Sequence, residues 1–363
     1  ERELLQNEEG KMEPKKLNKA ECVTLAIGGM VGSAIFALSG FSYRMAGPAV
    51  ILAWIVAALI LLFYGLMTAE LVTIYPDATG GMFEYPYRTL GKSETGKKAW
   101  GWFASWALLN VNIFGAGFSA IYIANYFVNM FPSMMKEDYS GAQTKYVIIF
   151  AVIACVIFGI LCLFNVTIAG KVNLVMVAGL LVILVVFVIA CFTHGFSGAN
   201  FSPFFVGGQV LPGIEGLPGY ESLNGNTFIT AIPTAMLAYG AIVSTAFMSS
   251  QIKNPKKTVP ASMKIAMAVV VVSYVITLVA MIGKYAWAQF AFDPYSEYST
   301  IINIAMSIAP ALKIVISIAA ILALASTMLV LMMMAGWQLQ STAAKGMLPS
   351  GLAKVNPKTN TPV

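Results

Sequence analysis

The sequence predicts an all-α membrane protein, and three observations support that prediction. Hydrophobic residues fill 58% of the 363 positions and charged residues only 10%, with a mean hydropathy of +0.78. Soluble domains average about 25% charged residues. The apolar residues fall into runs that reach the roughly 20 residues a helix needs to cross the hydrocarbon core.

Eight membrane-spanning helices are predicted in order along the chain. They cover about 20–45, 48–75, 98–132, 145–165, 169–193, 227–251, 262–288 and 309–344. A short external helix is expected near 298–307, between the last two spans.

The first span contains the segment Ile27–Phe36, in which three glycines and a serine lie between Gly28 and Ser33. Such a composition weakens a helix. At membrane depth, a helix break is tolerated where the backbone lines a cavity. Free N–H groups at the start of the second half-helix would then hold a carboxylate. The segment therefore predicts a substrate-binding break, with tight helix packing through the GxxxG pair of Gly28 and Gly32 as the alternative.

The sixth span carries Pro233 and Gly240 near its centre. Interrupted helices at matching positions in the two halves of a chain are the best sequence indicator of a transporter site. A proline-kinked packing helix is the alternative for this span.

Basic residues indicate how the chain is oriented. Most of the 22 lysines and arginines lie in the N-terminal tail and in alternate connections, whereas the 194–226 connection has none. Because cytoplasmic segments carry the excess of positive charge, the N-terminus is predicted to be cytoplasmic. The net charge of +6 thus reports orientation in a lipid bilayer and does not indicate nucleic-acid binding.

An ordered series of short motifs accompanies the two interrupted spans. They are Ala69-Glu70-Leu71, Tyr75-Pro76-Asp77, Gly80-Gly81-x-x-x-Tyr85, Leu237-Ala-Tyr-Gly-Ala-Ile242, Lys253-Asn-Pro-Lys-Lys-x-x-Pro260 and Ala344-Lys-Gly-Met-Leu-Pro349. In this order they resemble the amino acid–polyamine–organocation (APC) superfamily of amino acid permeases, over nearly the whole chain from about Lys16.

The resemblance implies an APC/LeuT-like inverted-repeat fold with broken helices one and six and an incomplete second repeat. Residues 1–19 would be a cytoplasmic tail, 20–193 the first five-helix repeat and 194–226 an external loop. Residues 227–344 would be a partial second repeat of three spans. The cytoplasmic segment 345–363 would lead to spans that the sequence lacks, so we expect the sequence to be partial.

The resemblance also implies a substrate site. The α-carboxylate would be held at Gly32, Ser33 and Ala34, and the α-ammonium by the carbonyls of Met30, Leu237 and Gly240. Tyr239 would line or gate the pocket, with a packed core aromatic as the alternative. No charged residue lies near either break in sequence, and an unpaired charge in low dielectric is costly. We therefore expect neutral, mainly apolar amino acids as substrates.

Coupling stays open between H⁺, Na⁺ and exchange without an ion. The lysine that some proton-coupled relatives carry in span five corresponds to Leu180 here, which argues against a lysine-based proton mechanism. The hydroxyls of Ser326 and Thr327, with the carbonyls of Gly28 and Val31, form a candidate Na⁺ site of hard oxygen ligands. Hydrogen bonding within or between helices is the alternative for these hydroxyls.

These observations predict a secondary active transporter that moves amino acids across the cell membrane by alternating access, as a symporter or an exchanger. No enzymatic activity and no cofactor are expected, because the spans lack clustered nucleophile, acid or metal-ligand motifs. The alternative is an amino acid-binding membrane sensor on a permease scaffold. A sensor normally needs a long soluble tail, and the visible tail has only about 19 residues.

Overall fold

The structure is a computed structural model that describes residues 16–32, 34–78, 80–131, 142–164, 166–206, 227–287, 300–356, 359 and 361–362. Within these ranges the chain is almost entirely helical, and eight helical segments are long and apolar enough to cross a membrane. Most of the predicted N-terminal tail (1–15) and of the predicted external loop (207–226) lies outside the described residues, as does Ser33.

The eight predicted spans are present, and two of them are interrupted. Span one consists of a helix at Lys19–Met30, a π-helical turn at Ala34–Leu38 and a helix at Ser39–Ala46. Spans two to five are Val50–Ile74, Glu94–Asn129, Ala142–Leu163 and Val166–Thr193. Span six consists of an α-helix at Thr227–Leu237 and a 3₁₀ helix at Gly240–Gln251. Spans seven and eight are Pro255–Lys284 and Pro310–Ala344.

Shorter elements connect the spans. They are the helices Glu84–Thr89 and Thr300–Ile308 and the 3₁₀ turns Gly47–Ala49, Gly81–Phe83, Gly198–Phe201 and Ser350–Ala353. The helix Thr300–Ile308 agrees with the short helix expected before span eight.

Local sequence signals explain where the spans begin. Asn18 and Glu21 form a capping box at the start of span one, with bonds of 3.0 and 2.9 Å between side chains and backbone N–H groups. Pro255 and Pro310 occupy the first turns of spans seven and eight, where a missing N–H has no helical partner to lose. Span seven therefore begins at Pro255, ahead of the predicted start at 262.

One large apolar core joins spans one, two and five to eight. A smaller cluster joins spans three, four and eight, and the small residues Ala116, Ala120 and Ala151 in it allow spans three and four to approach closely. Outward-facing positions carry large apolar side chains, such as Phe63 at 66% exposure and Phe114 at 73%. Such a surface suits lipid contact, because soluble proteins rarely expose contiguous apolar areas of this kind.

Short backbone bridges fix the basic ends of the two interrupted spans relative to each other. Leu17 N–H donates to the Gln251 carbonyl at 2.8 Å, and Lys253 N–H donates to the Leu17 carbonyl at 3.0 Å. The start of span one is thereby attached to the end of span six.

Candidate functional site

The break in span one lies at the glycine-rich segment. The first helix ends at Met30, and Val31 closes it with an N–H bond of 2.7 Å to the Ile27 carbonyl. A π-helical turn resumes at Ala34. The last carbonyls of a helix have no N–H partner within it. The carbonyls from Gly28 to Val31 are therefore available to other groups.

The break in span six lies beyond its proline. Pro233 sits inside the first helix, which continues to Leu237, and the residues Ala238 and Tyr239 form a turn before the 3₁₀ helix starts at Gly240. The carbonyl of Ala238 is thus released at the end of a half-helix, as the carbonyl of Met30 is in span one. Carbonyls at such ends carry the negative end of the helix dipole.

One hydroxyl from span seven connects the two breaks. Tyr274 is fully buried, and its hydroxyl lies 2.5 Å from the Met30 carbonyl oxygen and 3.4 Å from that of Ala238. The two released carbonyls therefore converge on one point between spans one, six and seven. A positively charged group is the ligand that converging carbonyls suit best.

Aromatic rings hold Tyr274 in place. The ring of Trp54 meets it edge-on at a centroid distance of 4.9 Å, and the ring of Tyr239 does so at 5.3 Å. Tyr239 is fully buried in this cluster, so its ring packs against spans two and seven. Within the described part of the chain, the Trp54 indole N–H and the Tyr239 hydroxyl are buried without a hydrogen-bond partner.

Span eight contacts the first break through adjacent hydroxyls. The Thr327 hydroxyl donates to the Gly28 carbonyl at 2.8 Å, and the Ser326 hydroxyl donates to the Asn173 side-chain oxygen at 2.6 Å. Asn173, in span five, in turn donates to the Thr24 carbonyl at 2.8 Å. Spans one, five and eight are therefore joined by side-chain hydrogen bonds at the depth of the break.

Glycine is required where these hydroxyls approach span one. A Cβ atom on Gly28 would lie 1.9 Å from the Ser326 hydroxyl oxygen, and one on Gly32 would lie 1.4 Å from that of Thr327. Both glycines thus serve a close helix contact, as the packing alternative supposed, and they do so at a real helix break. The helix break and the close helix packing therefore occur in the same segment.

The predicted substrate residues occupy different settings. Met30, Gly32 and Ala34 are buried at the first break, whereas Leu237 is 72% exposed. Gly240 faces open space, because a Cβ built there would meet no atom within 4 Å. Ser33 lies outside the described residues. Of the span-six carbonyls, the one that converges with Met30 is that of Ala238.

Two contributors were missed by the sequence reasoning. Asn173, an amide inside an apolar span, is a signal that could have been found, because buried polar side chains in membranes are rare. Tyr274 gave no such signal, since a tyrosine in an apolar helix is interpreted as a residue of the packed core. Leu180, the position compared with the lysine of proton-coupled relatives, is fully buried.

The candidate Na⁺ ligands are partly assembled. Gly28, Ser326 and Thr327 lie in contact, and each offers an oxygen atom. Hydroxyl oxygens that donate their hydrogen keep lone pairs for a cation, so the bonds to Gly28 and Asn173 are compatible with a hard-ion site. Among the described residues, no group of three or more His, Cys, Asp or Glu side chains could hold a metal ion.

An ion-pair cluster lies at the basic end of span two. Arg88 contacts Glu84 at 2.8 Å and Asp77 at 2.9 Å, and Lys345, after span eight, contacts Glu84 at 3.2 Å. The hydrogen bond from Arg88 lowers the pKa of Asp77 below its ordinary value. The same connection accepts a bond from span six, because the Ser249 hydroxyl donates to the Ala78 carbonyl. The connection is thereby held against the ends of spans six and eight.

Comparison with known proteins identifies relatives of this chain. Residues 21–363 match the model of the family described as amino acid permease. The branched-chain amino acid permease BcaP of Lactococcus lactis subsp. cremoris (strain MG1363) is 25% identical over 356 residues, covering 94% of this chain and 70% of that protein. The glutamate/serine transporter AimA of Bacillus subtilis (strain 168) is 26% identical over 304 residues, covering 80% of this chain and 53% of that protein.

A solved structure shares the fold. It is that of Mhp1, a nucleobase-cation-symport-1 family transporter, in a closed conformation with bromovinylhydantoin bound. It matches with a TM-score of 0.56 at 15% identity, covering 92% of this chain and 68% of Mhp1. With the two interrupted spans, this likeness confirms the predicted APC/LeuT-like fold.

Proposed function

The chain belongs to the amino acid permease family, and from this premise we propose that the whole protein moves neutral amino acids across the cell membrane by alternating access. The observation that carries the proposal is the convergence of the Met30 and Ala238 carbonyls on the Tyr274 hydroxyl. That point lies between two broken helices inside the bundle. Both curated relatives described above are named as transporters or permeases, and neither supports the sensor alternative or an enzyme.

The site would divide the two charges of an amino acid. The carboxylate lies at the backbone N–H groups of Gly32, Ser33 and Ala34, at the start of the second half of span one. The ammonium lies at the carbonyls of Met30 and Ala238, at the ends of the first halves of spans one and six. Each charge of the substrate thus meets the favourable end of a half-helix. The bound substrate then draws the half-helices of spans one and six together.

The preference for neutral substrates follows from the surroundings of the breaks. The segments 22–43 and 227–252 contain no Asp, Glu, Lys or Arg. A charged substrate side chain would have no counter-charge from these segments, and an unpaired charge in low dielectric is unfavourable. Of the two relatives described above, one is named for branched-chain amino acids and the other for glutamate and serine, so the preference is argued from the breaks alone.

The proposed orientation has the N-terminus in the cytoplasm of the cell whose plasma membrane the protein spans. The asymmetry of the basic residues supports it, because Lys253, Lys256 and Lys257 lie on the same side as the N-terminus. The closed ion-pair cluster around Glu84 would then form the cytoplasmic mouth.

Uptake by proteoliposomes tests the proposal. The complete protein is offered labelled amino acids of each charge class, and we expect saturable uptake of the neutral ones. Gly240→Trp should abolish it, because Gly240 directly follows the turn of the span-six break, where a bulky side chain would obstruct the proposed site. Gly117→Trp is the matched control, since Gly117 in span three also has no atom within 4 Å of its Cβ position. Uptake confined to charged substrates, or equal loss in both variants, would contradict the proposal.

The coupling ion is a separate proposal. We place Na⁺ at the carbonyls of Gly28 and Val31 and the hydroxyls of Ser326 and Thr327, and a Na⁺ gradient should then drive uptake. Thr327→Val removes the hydroxyl at nearly constant volume and should remove the Na⁺ dependence, whereas Thr327→Ser should keep it. If uptake does not depend on the Na⁺ gradient, the mode of transport is coupling to H⁺ or exchange without an ion.

A further inference from the structure

An apolar groove runs along the seam between spans two and seven, on the outer surface of the bundle. Its volume is about 460 Å³. Leu59, Leu62 and Leu66 line one wall, and Ala268 and Val272 line the other. Leu59 is 52% exposed and Val272 is 57% exposed, so the groove opens towards the lipid. Its shape and lining suit an alkyl chain.

One of the residues that line this apolar groove is a lysine. Lys264 is exposed, lines the groove and has no hydrogen-bond or ion-pair partner in the described part of the chain. It lies nine residues after Pro255, or about 14 Å along the helix. A 30-residue helix is roughly 15 Å longer than the hydrocarbon core. Centred in the bilayer, it places the Lys264 backbone roughly 6 Å below the hydrocarbon boundary. From that depth the long side chain extends towards the boundary, where lipid phosphates offer its ammonium an anionic partner.

The basic end of the same seam carries further lysines. Lys256 and Lys257 line a second cavity of about 480 Å³ beside Pro76, where span two has just ended. Lys257 and Lys264 are seven residues apart and so share a helix face. Glu70 lies four residues beyond Leu66 on span two, and it forms no ion pair with these lysines. The seam therefore has a net positive end that leads into an apolar groove.

We propose that this seam binds an anionic phospholipid of the surrounding bilayer, with its phosphate at Lys257 and Lys264 and an acyl chain between Leu62 and Val272. Basic pockets between membrane helices favour anionic head groups. A zwitterionic lipid fills the groove equally well, but its own positive charge offsets the attraction of the lysines. The inference concerns the outer surface and does not depend on the proposed substrate.

Two measurements on the complete protein test the proposal. Native mass spectrometry compares the retention of phosphatidylglycerol and phosphatidylcholine with identical acyl chains. We expect a preference for phosphatidylglycerol that falls about fivefold in Lys264→Gln and about 30-fold in the double variant Lys257→Gln/Lys264→Gln. Lys264→Arg should keep the preference. Lys171→Gln, which removes an exposed lysine near the start of span five, is the matched control and should also keep it.

Photo-crosslinking locates the lipid. Phosphatidylglycerol with a diazirine in its acyl chain should label peptides containing Leu59–Leu66 or Ala268–Val272, and Ala268→Trp should suppress that labelling by filling the groove. Equal retention of the two lipids overturns the proposal. So does a preference that survives the double lysine substitution, or labelling confined to other spans because another part of the protein occupies the groove.

Discussion

Tyr274 shows at the residue scale how the two breaks depend on each other. Its hydroxyl reaches the Met30 carbonyl at 2.5 Å and the Ala238 carbonyl at 3.4 Å. A carbonyl oxygen has two lone pairs, so Met30 can accept from Tyr274 and from a substrate ammonium together. In the proposed site, Tyr274 would be a positioning residue that keeps the two carbonyls converged for the ammonium.

Replacing Tyr274 by Phe keeps the ring contacts with Trp54 and Tyr239 and removes only the hydroxyl. We expect KM for a neutral amino acid to rise about tenfold, with a smaller change in kcat. The deaminated analogue of that amino acid should compete for uptake as well as it does in the unmodified protein, because it has no ammonium to bind the carbonyls of Met30 and Ala238. Radiolabelled uptake with competition by both compounds measures this difference.

Tyr43→Phe is the matched control for that experiment. The Tyr43 hydroxyl donates to the Tyr285 carbonyl at 2.8 Å, so the same type of bond is lost outside the breaks. For Tyr43→Phe we expect no change in the ratio of the affinities for the amino acid and for its deaminated analogue. Equal weakening of the amino acid and its deaminated analogue in Tyr274→Phe would assign Tyr274 a purely structural role.

Gly32 is a second residue whose size matters. A methyl group there would lie 1.4 Å from the Thr327 hydroxyl oxygen, so Gly32→Ala must displace span one or span eight. Overpacking of this kind destabilises by about 1–3 kcal/mol. Thermal unfolding in detergent should show a lower midpoint for Gly32→Ala, whereas Gly117→Ala should not lower it. Unchanged midpoints in both variants would contradict the close contact.

At the scale of elements, the connection 75–93 is held against the basic ends of spans six and eight. Glu84 is buried and pairs with both Arg88 and Lys345, so it links this connection to the end of span eight. Glu84→Gln should therefore speed hydrogen–deuterium exchange across 75–93. Glu94→Gln, which removes an exposed pair with Lys97, should leave that exchange unchanged. Identical exchange in the two variants would show that the cluster does not hold the mouth closed.

The pH dependence of that connection has a definite sign. Because the hydrogen bond from Arg88 lowers the pKa of Asp77, the folded protein keeps this carboxylate ionised below the ordinary carboxyl range. The contribution of the pair is present above the ordinary pKa of about 3.9 and is lost as the pH falls through the lowered value. After correction for intrinsic exchange rates, protection of 75–93 should stay constant from pH 8 to pH 5. A decline within that window would contradict the pairing.

The breaks were predictable from composition, but their contacts were not. Gly28, Gly29 and Gly32 weaken a helix wherever they occur together, so the end of the helix at Met30 follows from local sequence. Pro233 indicated a kink in span six, yet the helix tolerates it and ends four residues later. Tyr274 and Asn173 meet the breaks through long-range packing, which no local pattern encodes.

At the scale of the whole molecule, the ordered motifs predicted the family and the fold, and both predictions are confirmed. The assignment of individual substrate and ion ligands stays a prediction. It depends on how the two half-helices of spans one and six move when a substrate binds. In the structure, Ser249 and Glu84 hold the connection 75–93 at the basic ends of spans six and eight.

Accessibility of a single cysteine at position 34 tests the central claim, that the break of span one is an amino acid site reached from both sides. Ala34→Cys is made in a background without the four native cysteines and is labelled with a membrane-impermeant thiol reagent from each side. Ala120→Cys, buried in span three, is the control. We predict labelling from both sides at position 34, slowed by neutral amino acids. Labelling from one side only, or labelling unaffected by every amino acid, would contradict the account.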